Sequence, residues 1–111
     1  MIQAFFKRNN KEDIVSFEVT GHAESGPYGS DIVCAAVSAL VLGTTNSISA
    51  LSGVSPLVET NEEVEGGYLY VELLSELTEE QSKISQILLE SLLLSLTGIV
   101  EEYPEYVKLA Q

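Results

Sequence analysis

From residue 30 to about residue 51 the chain opens Ser-Asp-Ile-Val-Cys-Ala-Ala-Val-Ser-Ala-Leu-Val-Leu, small and apolar on nearly every face, and continues less densely apolar to its end. A helix of that character is stable in water only when other elements cover it, so this segment reads as a buried helix. The remaining segments must build the cover. Residues 2–7 and 14–20 alternate or run apolar with β-branched and aromatic side chains, and Asn9-Asn10-Lys11-Glu12-Asp13 between them is turn chemistry, which predicts a hairpin. Residues 56–60 and 67–74 predict a second hairpin, joined by the acidic turn Asn61-Glu62-Glu63-Val64-Glu65-Gly66.

Thr78-Glu79-Glu80-Gln81 matches a capping box and opens a second helix that closes near Tyr103-Pro104. Ile84, Ile87, Leu88, Leu92, Leu96 and Ile99 form its expected inward stripe. Leu89, Leu93 and Leu94 widen that stripe, either because the helix is pressed between the sheet and the first helix or because it forms a dimer contact. The order ββαββα with antiparallel hairpins predicts an α+β fold, a four-stranded antiparallel or mixed sheet carrying two helices.

At 111 residues the chain is expected to form one domain around one core, and the smallness favours a paired assembly. Five Lys and Arg against seventeen Asp and Glu give a net charge of -12, which repels nucleic acid phosphate and anionic lipid and attracts a basic protein partner. Between Glu12 and Ser82 the sole basic side chain is that of His22. A single cysteine forms no internal disulfide, the N-terminal residues read as a strand rather than an apolar signal, and the longest apolar runs are about half the ~20 residues of a membrane span. These features lead us to expect a cytoplasmic protein without membrane contact.

Gly-His-Ala-Glu-Ser-Gly-Pro-Tyr-Gly-Ser-Asp-Ile-Val-Cys, residues 21–34, holds the chain's one histidine and one cysteine. A thiol attacks as thiolate, and an ordinary cysteine with a pKa near ~8.5 is little ionised at neutral pH. With Ser30 or Asp31 as N-cap, Cys34 would be the third or fourth helical residue, beside the positive end of the helix dipole. A helix terminus contributes only ~0.3 to 1 kcal/mol at a surface, less than one pKa unit, so a second positive group is needed and His22 is the candidate. His22 follows the second strand and is bounded by Gly21 and Gly26, in a loop long enough to return to the helix start. The pair would then act as nucleophile and general base, with helix-start N–H groups, that of Cys34 included, holding the oxyanion. From spacing alone, Cys34 reads first as a small core residue and His22 as a solvated loop residue. Asp31 reads as an N-cap or as a group orienting His22.

Gly21-His22-Ala23 followed by Tyr28-Gly29-Ser30-Asp31-Ile32-Val33-Cys34-Ala35-Ala36-Val37-Ser38-Ala39-Leu40 resembles the motif of the ribosomal-processing cysteine protease (Prp) family, and length and element order agree over the whole chain. The resemblance implies a single cysteine protease domain over residues 1–111 that assembles as a homodimer. It would remove the short N-terminal extension of a basic ribosomal protein, large-subunit protein twenty-seven, cutting beside a pair of aromatic residues. It further implies His22 and Cys34 as the catalytic pair, Asp31 and Ser38 as supporting residues, and Gly21, Gly26 and Gly29 as the glycines of an oxyanion-forming, flexible loop. No cofactor is implied. One His, one Cys and no Cys-x-x-Cys give no zinc set, and neither a phosphate loop nor a Gly-x-Ser-x-Gly elbow is present. The competing expectations are a non-catalytic dimeric adaptor that binds a basic ribosomal component, and a redox-sensing thiol.

Overall fold

A computed structural model describes residues 1–22, 30–61 and 63–111. Strands β1 (Ile2–Arg8) and β2 (Ile14–Thr20) form the first hairpin, followed by helix α1 (Ser30–Ser52). Strands β3 (Leu57–Thr60) and β4 (Tyr68–Glu72), helix α2 (Glu79–Glu102) and a last strand β5 (Val107–Ala110) complete the chain. The sheet order is β3-β4-β2-β1-β5. All neighbouring pairs are antiparallel except β1 and β5, which run parallel with Ile2 opposite Val107.

The α+β class is as expected, but the sheet has five strands where four were predicted. Val107-Lys108-Leu109-Ala110 is too short to display a period of its own, and the strand exists because it completes the edge of β1, more than a hundred positions earlier. Tyr103 caps α2 and the Ile2 N–H donates to the Tyr106 carbonyl at 2.9 Å, which turns the chain from helix to edge strand. The register of β1 and β2 shifts between Lys7 and Arg8, and this bulge brings Ile14 back to the inward face.

One face of the sheet contributes Ile2, Ala4, Phe6, Phe17, Val19, Leu69 and Val71 to the core. The Phe6 and Phe17 rings stack there with centroids 5.7 Å apart. Against them α1 buries Val33, Val37, Val41 and Ile48, a stripe at intervals of four or seven. Only that stripe is covered: Ile32, Leu42 and Leu51 remain exposed, so α1 is an amphipathic helix of small residues and not one buried on all sides.

The inward stripe of α2 also differs from expectation. Ser85, Leu89, Leu92, Leu93 and Leu96 are buried, whereas Ile87 is 64% and Leu94 is 74% exposed. Packing against both α1 and β5 turns the helix so that Leu89 and Leu93 enter the core. The capping box is present as predicted, with Thr78 and Gln81 exchanging side-chain-to-backbone bonds of 3.2 and 2.9 Å. By length and mean hydropathy α1 and α2 would each suffice to cross a membrane, contrary to what the short apolar runs suggested, but here both serve as core helices of the sheet.

Candidate active site

β2 ends at Thr20, and Gly21 turns the chain with a φ of +80°. Its N–H donates to the Gly67 carbonyl at 3.3 Å. A Cβ at this position would lie 2.4 Å from the Met1 carbonyl oxygen and 3.2 Å from the Ile2 Cα. Both the left-handed backbone and the close approach of another backbone segment therefore demand glycine. The turn is held from two sides, by the start of β1 and by the residue preceding β4.

His22 follows this fixed point and is half-buried. The hydroxyl of Ser38 donates to its carbonyl at 2.8 Å, while the thiol of Cys34, one turn earlier on α1, points to the Gly21 carbonyl with Sγ 3.6 Å away. Residues 34 and 38 share a helix face, so α1 grips two consecutive peptide units with two consecutive turns. Val33 and Val37 anchor that part of the helix in the core. The sequence-predicted His22, Cys34, Ser38 and Gly21 are thus brought together by the end of β2 and the beginning of α1.

Burial lowers the His22 pKa below its ordinary 6.5, an effect partly offset by a backbone interaction with Val19. Nδ1 is buried without a hydrogen-bond partner among the described residues. Burial thus favours the neutral imidazole over the imidazolium.

The helix start differs from expectation. α1 begins at Ser30, which makes Cys34 its fifth residue rather than its third or fourth. Asp31 lies within the first turn rather than at the N-cap, is exposed, and accepts the Ile32 N–H at 3.0 Å through its carboxylate. A carboxylate there favours the helix terminus electrostatically. Gly26 and Gly29 lie outside the described residues.

Sequence reasoning missed the parts of the site that come from far along the chain. Met1 and Ile2 press on Gly21, and Gly67 accepts its N–H. The Gly66-Gly67 pair was visible as turn chemistry, but nothing in its spacing tied it to residue 21.

The sequence profile of the family described as "Cysteine protease Prp" matches residues 1–108. The ribosomal processing cysteine protease Prp of Bacillus subtilis is 40% identical over 105 residues, covering 95% of this chain and 92% of that protein. A solved structure from Streptococcus mutans superposes with a TM-score of 0.86 at 38% identity, covering 100% of this chain and 99% of the other. The essential ribosomal processing protease Prp of Staphylococcus aureus, solved in complex with a substrate peptide, superposes with a TM-score of 0.78 at 30% identity and full coverage of both chains.

Proposed function

The chain belongs to the cysteine protease Prp family and is a thiol protease, and from that premise we propose that it removes the N-terminal extension of large-subunit ribosomal protein twenty-seven with Cys34 as nucleophile and His22 as general base. The observation that carries the residue assignment is the double grip of α1 on the Gly21–His22 backbone, which fixes the thiol beside the histidine-bearing turn. Partial burial, which favours the neutral imidazole, supports the base role.

In this reading the His22 ring takes the thiol proton as Sγ bonds to the carbonyl carbon of the scissile peptide. The tetrahedral intermediate collapses with cleavage of the C–N bond, and the imidazolium returns its proton to the departing amine. The N-terminal extension is left as a thioester on Cys34. A water, deprotonated by the same ring, adds to that thioester, and the C–S bond breaks to release the carboxylate and regenerate the thiol. Ser38 and Gly21 act as positioning residues for the turn, and Asp31 supports the helix start. Gly26 and Gly29 are assigned to the flexible, oxyanion-forming loop of this proposal.

The protein acts in the cytoplasm and as a homodimer in this proposal. The dimer contact is assigned to the outward faces of the helices, where Ile32, Leu42, Ile87 and Leu94 are exposed. The deciding experiment incubates wild type, Cys34→Ala and His22→Ala with the unprocessed ribosomal protein and reads the products by intact mass. The wild type should remove the extension while both variants leave it in place. Cleavage by either variant at the wild-type rate would exclude the dyad.

A further inference from the structure

The sheet face turned away from the helices carries a patterned surface. In register across β3, β4 and β2, Glu59 stands opposite Tyr70 and Tyr70 opposite Glu18. Glu72 and Tyr68 flank this band on β4, and the Tyr70 hydroxyl donates to the Glu72 carboxylate. Beyond Glu18, Phe5 on β1 is 50% exposed on the same face. Lys7 and Lys108 lie on the β1 and β5 half, so the acidic and aromatic half is the one formed by β3, β4 and β2.

The two tyrosines register the local field. Burial, Glu18 and Glu59 push the Tyr68 hydroxyl pKa up, and the bond to Glu72 does the same for Tyr70. The band also leads to the active site, because Tyr68 is opposite Thr20, two residues before His22, and Gly67 accepts the Gly21 N–H. Exposed Glu63 and Glu65 in the β3–β4 turn extend the negative charge at that end.

We propose that this half of the open sheet face is a docking site for a lysine- and arginine-rich segment of the protein substrate lying beyond the cleaved bond. The proposal rests on the protease reading given above. Aromatic rings framed by carboxylates suit extended cationic side chains, through ion pairing and contact with the ring faces. A protein whose destination is RNA carries such side chains in quantity, since phosphate is neutralised by Lys and Arg. RNA itself is repelled by the same carboxylates, and a second copy of the chain would set Glu18, Glu59 and Glu72 against their own kind.

The test uses wild type, the triple variant Glu18→Gln/Glu59→Gln/Glu72→Gln, and the edge-strand variant Glu59→Lys. Two substrates are compared: the full-length ribosomal precursor, and a short neutral peptide spanning only the scissile bond. The triple variant should raise KM for the precursor about tenfold with kcat unchanged and weaken its salt dependence, while cleavage of the peptide stays at the wild-type level. Glu59→Lys should shift KM for the precursor in the same direction. Unchanged precursor KM in both variants, or equal losses on precursor and peptide, overturns the docking site and leaves the protease reading intact. Failure of wild type to cleave either substrate overturns both. A change in sedimentation of the triple variant would assign the face to a second copy instead, and would equally overturn the proposal.

Discussion

Gly21 and Gly53 offer a matched pair for measuring what the site's backbone requires. Their φ values are +80° and +83°, so alanine meets the same left-handed penalty at each, about 1 to 2 kcal/mol. At Gly53, just beyond α1, an added Cβ has nothing within 4 Å. At Gly21 it would stand 2.4 Å from the Met1 carbonyl oxygen, and backbone on both sides offers no rotamer change as relief. Overpacking of that kind adds about 1 to 3 kcal/mol, so Gly21→Ala should cost about 2 to 5 kcal/mol in all. Urea unfolding of the two variants gives the difference directly, and the melting temperature of Gly21→Ala should fall by roughly 8 to 20 °C. Because the Gly21 carbonyl is the contact of the Cys34 thiol, turnover should fall in Gly21→Ala and hold in Gly53→Ala. Equal unfolding costs for the two substitutions would refute the claim that the chain's first residues clamp the turn.

The folded His22 pKa lies below 6.5 whereas the unfolded chain titrates near 6.5, so between these values only the unfolded chain gains the proton. Its contribution to stability is present above pH 6.5 and is lost as pH falls from there through the folded value. The acid limb of kcat/KM should accordingly lie below pH 6.5, and a limb above it would contradict the lowering of the His22 pKa by partial burial. Ser38→Ala removes the 2.8 Å bond to the His22 carbonyl and should reduce kcat about tenfold, with partial recovery in Ser38→Thr as read by peptide cleavage. Leu94→Glu changes a side chain that is 74% exposed, so monomer stability should move by no more than about 0.5 kcal/mol. Sedimentation of that variant should show half the wild-type mass, and an unaltered mass would remove the outer helix face as the dimer contact.

What could be read from the sequence and what could not divide along the range of the interactions. The hairpins, the Thr78 capping box and the end of α2 depend on neighbours within a few positions, and each was legible. β5 depends on the free edge of β1, and the rotation of α2 that buries Leu89 and Leu93 depends on α1 and β5, so neither appears in a local pattern. The same division runs through the site. The candidates His22, Cys34 and Ser38 were visible in one motif. The carbonyls that Cys34 and Ser38 contact, and the Met1 backbone that rules out a side chain at residue 21, emerge only when β1, β2 and α1 are assembled.

That assembly changes which effect the proposed chemistry would rely on. Electrostatic activation was expected to come from the helix terminus and from a charged imidazole. The terminus acts mainly within the first turn, and Cys34 is the fifth residue of α1. Burial meanwhile disfavours the imidazolium that would supply the remainder. For the proposed dyad, both observations favour a resting pair with a neutral ring, in which charge separation would accompany attack on the substrate. A proton moved during the reaction must travel a short, well-aligned path, so the burden falls on placement. Placement is what the fold provides, through a glycine clamped by a distant backbone and a helix whose successive turns hold the two peptide units on either side of the His22 Cα.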